Sequence, residues 1–541
     1  MTPPPGLSEG NLDWSRLDIA NHLLIWLVGG SGAFGLVHHW IRYRSRTTGW
    51  LAIFATQVVI VLLGLVFWPE KAGWVGAAVW FPFVFLPAIG NALVHRWVLR
   101  EYFGLAAVLA YAIAWLHPFD GWLRLPRYIQ VLRDIHHGHP ERAREMLATI
   151  PESEGQLARF VKLQLLRFEG DWEEVIRTIS PDADPARVDR DPNTAAMYLR
   201  ALGETGRTDA LVQNFAAVSA GELPPQTRAL QQLFFASFTG DRGLTNALLD
   251  GPFSAMPAET RRYWEATTAQ CAGDAEEAEG TLNEIVAHRG DSVLADAIRR
   301  RIASPLPVAE IPPERQEMVD HTRTQIAAEL QFGAASSGRA WGTSIMVLAS
   351  LIGFALQLPE GSLSEANHLR LGALIPLDAP GGGWWRVWTA GFLHHGPIHL
   401  SLNLLALWIL GRRVENAVGG WGLIVIALVA TVGANAAYLP FLPSYVEGEP
   451  FPKLVGASGG VMGVFGAAVV LAAIGWRRHQ VTVLRSLLFR LLAILILQMI
   501  FDASVEQICG EVHLLGFGLG VLTTLALVAI APQRILGRLT S

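Results

Sequence analysis

Residues 454–475 read LVGASGGVMGVFGAAVVLAAIG. From 457 to 475 the run carries no charge, and a membrane-spanning helix needs about 20 such residues. Ser458 stands at its start with small residues on both sides, which let other backbones approach closely. A helix of this kind needs neighbours of the same character. The chain supplies five more apolar runs around it, near 341–357, 399–413, 421–440, 484–502 and 511–531. We therefore expect a six-span helical bundle over 341–541.

The loops GRRVEN after the second run and GWRRHQ after the fourth are basic, and the tail carries Arg534 and Arg538. The positive-inside rule puts all three in the cytoplasm, so this bundle begins and ends inside. Four earlier runs, near 20–38, 50–68, 73–94 and 102–117, predict an amino-terminal membrane region over 1–117 with three or four spans. The opening MTPPPGLSEG has no basic n-region, so no cleaved signal peptide is expected. Arg42, Arg44 and Arg46 place the first loop inside. Four spans would then deliver residues 118–335 outside, against the orientation of the bundle. Either 102–117 is re-entrant or interfacial, or the first loop breaks the charge rule.

The 541 residues are 51% hydrophobic and 16% charged, with mean hydropathy +0.32. Soluble chains carry about a quarter charged residues, so the deficit points to lipid. The net charge of -5 offers no basic surface for nucleic acid. Many of the nineteen Trp fall at the ends of apolar runs, where amphipathic rings prefer the membrane–water interface. Cys271 and Cys509 make a disulfide framework improbable, and no spacing supports a metal or cofactor site.

The soluble stretch 118–300 repeats itself. Gly138, Gly170, Gly206, Gly240 and Gly273 follow apolar helical stretches at intervals of 32, 36, 34 and 33 residues. Each opens an amphipathic helix, from GHPERAREML to GDAEEAEGTL. This resembles the tetratricopeptide family of paired helices, which implies an α-solenoid whose concave side could hold a protein partner. Residues 301–340, with the Pro-rich ASPLPVAEIPPERQ at 303–316, read as a linker.

Polar groups retained in spans ask for an explanation, since a charge costs roughly 2.5–3.5 kcal/mol there. WRVWTAGFLHHGPIHLSLN (385–403) puts His399 and Asn403 on one helix face, with His394 in the turn before them. The second cluster is Ser458 itself. EVHLLGFGLG (511–520) puts His513 at the start of the last run, with Gly516 and Gly520 forming a groove for a close-packed helix. Ser458 and His513 fall near the outer ends of their spans and can be neighbours. A serine hydroxyl is a weak nucleophile until a base such as imidazole takes its proton. The Ser458 backbone N–H, His394 and Asn403 are available as donors to a developing oxyanion.

The linked motifs of 340–535 resemble the rhomboid family of intramembrane serine proteases. They are Trp385–Arg386; the set His394, His399 and Asn403; Glu415 in GRRVEN; GASG around Ser458; and His513 with Gly516 and Gly520. The resemblance implies Ser458 as nucleophile and His513 as general base. It implies an oxyanion hole from His394 and Asn403, with His399, Gly456 and Met462 supporting the site. Trp385, Arg386, Glu415, Gly516 and Gly520 match structural positions, and the implied substrates are transmembrane segments of membrane proteins. Met462 departs from the aromatic residue common four places after the serine; a thioether can still pack against a ring.

Plainer readings compete at several positions. GASGG matches the GxSxG elbow of soluble hydrolases, but the strand that motif requires is missing before it. Gly456/Gly460, Gly459/Gly463 and Gly516/Gly520 would also serve helix packing alone. Asp502 reads as a capping or interfacial residue rather than as a buried partner of His513, while Glu506 and Glu511 read as facing water. His395, His38, His39, His136, His137 and His139 read as loop or interface residues. The chain is thus expected to be a multi-pass protease of a bacterial cytoplasmic membrane. The alternatives are an inactive relative that escorts membrane helices and, more weakly, a proton-relay transporter.

Overall fold

The computed structural model describes residues 19–43, 48–119, 121–151, 154–180, 192–219, 223–290, 292–333, 340–447, 453–505, 508–532 and 535. MTPPPGLSEG, Arg44, Arg46, Glu506, Arg534, Arg538, residues 334–339 and the side chains of His38, His39 and Arg42 lie outside this description. In chain order the helices begin with α1 (Ile19–Tyr43), α2 (Thr48–Phe67), α3 (Ala72–Trp80), α4 (Leu86–Leu99) and α5 (Phe103–Leu116). Then come α6 (Leu125–His136), α7 (Pro140–Thr149), α8 (Gly155–Glu169), α9 (Trp172–Ile179), α10 (Pro192–Glu204) and α11 (Thr208–Ser219). The middle of the chain continues with α12 (Pro225–Phe238), α13 (Arg242–Asp250), α14 (Ala258–Ala272), α15 (Ala275–Arg289), α16 (Val293–Ala303) and α17 (Pro313–Phe332). Last are α18 (Trp341–Gln357), α19 (Glu365–Leu371), α20 (Arg386–Thr389), α21 (Gly396–Tyr438), α22 (Ser458–His479), α23 (Thr482–Ser504) and α24 (Gly510–Ile530).

The protein is an all-helical, polytopic membrane protein. Among the described residues seven helical stretches are long and apolar enough to cross a bilayer: Thr48–Phe67, Pro69–Leu99, Trp341–Glu360, Gly396–Phe441, Ser458–His479, Thr482–Ser504 and Gly510–Ile530. Helices suit this setting because they satisfy every backbone polar group internally where no water is at hand. The expected runs 399–413 and 421–440 meet inside α21 at Gly419, whose backbone (φ 81°, ψ 167°) is non-helical and divides the stretch in two.

Contacts divide the chain into two compact units. The first comprises Met1–Phe85, Arg339–Arg478 and Leu484–Arg538. Its bundle is tied by buried polar groups rather than by apolar packing alone. Both carboxylate oxygens of Glu415 accept from the backbone N–H groups of Gly342 and Thr343 at 2.8 Å, and the Thr343 hydroxyl donates to the same group at 2.7 Å. A carboxylate at the N-terminus of α18 satisfies its free donors and complements its dipole. Within the amino-terminal helices, Asn21 donates to Pro69 O and accepts from Gly73 N, both at 2.8 Å. Leu23 and Trp26 of α1 pack with Phe501 and Val505 beside Ile398 and Leu402, so α1 lies along the seam between α21 and α23.

The second unit holds Leu86–Gly338 with His479–Val483. The contact boundary thus falls at Phe85–Leu86 rather than at the expected 117. The reason is a shared core in which Val94, Phe103, Ala106, Ala110 and Ile113 bury Ile129 of α6. At 14 residues α5 rises only about 21 Å, short of a hydrocarbon core of about 30 Å. All five repeat glycines have positive φ, between 69° and 97°, because each helix ends on a left-handed residue that a Cβ would strain. Leu199, Leu211, Leu233, Phe235 and Leu248 from successive helices fill one core.

Residues 301–340 are not a free linker among the described positions. Arg301 is buried against Glu204 and the Tyr263 hydroxyl, and Ala309 N donates to Cys271 O at 2.8 Å. Val319 and Ile326 of α17 enter the repeat core. The prolines end one helix and start the next; the apolar side chains between them keep the segment folded onto its neighbours.

Candidate active site

Two helix crossings bring the expected residues together. A methyl group placed on Gly516 would lie 2.2 Å from Gly459 O, and one on Gly520 would lie 2.0 Å from Gly463 O. Only glycine lets α24 approach α22 this closely, and the two pairs repeat at one-turn spacing along the contact. On the other flank, a methyl at Gly460 would meet Thr431 Oγ1 at 2.2 Å and one at Gly463 would meet Ala430 Cβ at 2.1 Å. Helix α22 is therefore wedged between α21 and α24. Ser458, its first residue, precedes the Gly459 contact directly, and Val512, next to His513, approaches Gly459 from the partner helix.

The segment entering α22 is fixed from outside. Leu454 pairs with Leu374 through two backbone hydrogen bonds of 2.9 and 3.0 Å, and Gly456 N donates to Ala390 O at 3.0 Å. Gly456 has φ +141°, and a Cβ there would stand 2.9 Å from His399 Cε1 and 3.6 Å from Ser458 Oγ. The glycine thus makes room where the His399 ring and the Ser458 hydroxyl face the same space.

His399 Nδ1 accepts from His395 N at 3.4 Å, so in the neutral ring the proton sits on Nε2 and is available to donate. Asn403, one turn on, is buried, and its Nδ2 makes no hydrogen bond with the described residues. His394 is fully buried. Gln357 clamps its backbone, donating to His394 O at 2.8 Å and accepting from His394 N at 2.9 Å. Its ring stands edge-on to His399 with centroids 5.4 Å apart. The two rings are placed differently with respect to Ser458. His399 borders the serine, and His394 backs it. His395 is half-buried with its ring 5.7 Å from His368, rather than freely solvated.

The remaining positions are structural in the ways their chemistry suggests. Arg386 donates to the carbonyls of Gly381, Leu369 and Ala373 at 2.8–2.9 Å and stacks over Trp385 at 4.6 Å, gathering the loop before α21. Glu415 caps α18 as described. Met462 is buried within α22. Among the described residues no group of histidines, cysteines and carboxylates could hold a metal ion.

Of the two roles weighed for Asp502, the structure has the one the sequence made the less favoured. Asp502 Oδ2 lies 2.8 Å from His513 Nδ1, with both side chains about nine-tenths buried. Its position at the end of an apolar helix, eleven residues before the histidine, suggested a cap. The start of α24 packs against it instead. Gly510 makes this possible, since a Cβ there would sit 3.1 Å from Asp502 Cβ. With Nδ1 occupied, Nε2 is the nitrogen left to receive a proton from a hydroxyl. No hydrogen bond joins Ser458 to His513 among the described contacts; such contacts in substrate-free enzymes are often long and tighten on binding.

The glycine-packed bundle thus holds a serine, an imidazole and the unpaired amide of Asn403. Residues 381–530 match the family model described as the rhomboid domain. The chain is 30% identical over 182 residues to rhomboid protease GluP of Bacillus subtilis, covering 34% of each chain. It is 32% identical over 114 residues to rhomboid protease AarA of Providencia stuartii, covering 20% of this chain and 41% of that one. Over 194 residues it is 27% identical to putative rhomboid protease YdcA of Bacillus subtilis, covering 36% of this chain and 90% of that one. The chain spans about a third of GluP and two fifths of AarA. No solved structure gives a significant match.

Proposed function

We propose that this protein is a serine endopeptidase that hydrolyses peptide bonds in or near transmembrane segments of other membrane proteins. The observation that supports the reading is the paired glycine contact of α22, which begins at Ser458, with α24, whose first turn bears His513. Ser458 Oγ attacks the scissile carbonyl while His513 Nε2 takes its proton. Asn403 Nδ2, His399 Nε2–H and the Ser458 N–H stabilise the oxyanion. Collapse of the tetrahedral intermediate breaks the C–N bond, His513 protonates the leaving amine, and an acyl-enzyme remains on Ser458. Water then gives its proton to His513 and attacks the ester, releasing the carboxylate product and restoring the hydroxyl.

We also propose that the middle region holds a protein partner, as the repeat spacing of its sequence suggests. For the proteolytic reading, the test is Ser458→Ala in the full chain reconstituted in vesicles with a transmembrane substrate containing helix-weakening residues. Cleavage is expected to fall at least about a thousandfold. Wild-type cutting by that variant would end the proposal. Labelling of wild type, but not of Ser458→Ala, by a fluorophosphonate separates a working nucleophile from an inactive escort of membrane helices.

A further inference from the structure

We propose that Asp502 is a positioning residue for His513, which fixes the tautomer and the orientation of the ring that serves as base. The inference rests on the proteolytic reading above and concerns how its base is held. A carboxylate within an apolar helix is retained at a cost and needs partners. Asp502 has two. Its Oδ2 is 2.8 Å from His513 Nδ1, and its Oδ1 accepts from Gln498 Nε2 at 2.8 Å, one turn earlier on α23.

These two contacts fix a direction of proton traffic. An ionised carboxylate only accepts, so His513 Nδ1 must carry the hydrogen and Nε2 must present its lone pair. That tautomer is the one a general base for Ser458 requires. As the serine proton arrives, the ring becomes a cation, and the adjacent carboxylate stabilises it without itself taking the proton. Gln498 holds Asp502 in the orientation that faces the ring, and Gly510 lets the first turn of α24 descend onto it. A carboxylate serving only as a helix cap would bind backbone N–H groups at a helix start; Asp502 lies near the C-terminal end of α23 and bonds two side chains instead.

The experiment compares wild type, Ser458→Ala and Asp502→Asn as full chains in the same vesicles, measuring kcat and KM separately and the unfolding midpoint of each. Asn keeps the shape of Asp. With its oxygen accepting from Gln498, its amide nitrogen turns to His513 and donates to Nδ1, which moves the ring proton to Nε2. We expect kcat to fall at least about a hundredfold, with KM within about twofold of wild type. Asp502→Asn cutting at the wild-type kcat while Ser458→Ala is inert would overturn the role of Asp502 and leave the protease reading standing. Ser458→Ala cutting like wild type would overturn both. A measurement free of variant folding is the 15N spectrum of ring-labelled wild-type protein above neutral pH, with His513 assigned by loss of its signal in His513→Gln. A proton on Nδ1 supports the proposal, and a proton on Nε2 overturns it.

Discussion

Gly516 lies against Gly459 so closely that a Cβ on Gly516 would fall 2.2 Å from the Gly459 carbonyl oxygen, a backbone atom that cannot swing aside. The neighbouring Gly518 has nothing within 4 Å of its own Cβ site. Gly516→Ala is therefore expected to lower the unfolding midpoint in detergent, by the equivalent of about 1–3 kcal/mol, and to remove activity by parting Ser458 from His513. Gly518→Ala should leave both unchanged. Equal tolerance of the two substitutions would show that the crossing does not set the site.

Asn403 is buried with its amide nitrogen unpaired among the described residues. On the proposed mechanism, replacing it with Leu removes an oxyanion donor and leaves substrate contacts elsewhere. We expect kcat to fall by about 10²–10³ with little change in KM. A change confined to KM would assign Asn403 to ground-state binding instead.

Glu415 is expected to act on stability rather than chemistry. Glu415→Ala leaves two backbone donors and the Thr343 hydroxyl without their acceptor, at a cost of about 1–3 kcal/mol or more because the group is charged. The unfolding midpoint should drop while the fraction still folded retains its kcat. A folded variant with kcat reduced a hundredfold would contradict a purely structural role.

Cys271 in the middle region tests the packing of residues 303–312. Burial pushes its thiol up to about 12. Since the thiolate is the reactive species, Cys271 should resist maleimide at pH 8 in the folded chain and react once it unfolds. The measurement is made on Cys509→Ser, so that one thiol remains. Disrupting the bond from Ala309 N to Cys271 O with Ala309→Pro should speed labelling severalfold; unchanged labelling would mean that residues 303–312 do not shield the thiol.

The amino-acid sequence alone determined the class of fold and named most residues of the candidate site. Runs of about 20 apolar residues fix membrane helices, because an unsatisfied backbone is too costly in hydrocarbon. Glycines at 32–36-residue intervals mark where helices turn, because only they take the left-handed backbone cheaply. Ser458, His513 and Asn403 were legible as polar groups that lipid would otherwise exclude.

Tertiary structure decided what depends on two chain segments meeting. Asp502 looked like a cap because spacing along one helix carries no information about which helix start packs against its end. Which of His394 and His399 borders the serine likewise depends on the path of the loop through Gly456, and the two rings are indistinguishable by type. The segment 301–340 read as a linker because prolines dominate local pattern. Its burial comes from apolar side chains whose partners lie up to about a hundred residues away, and only the folded chain brings these together.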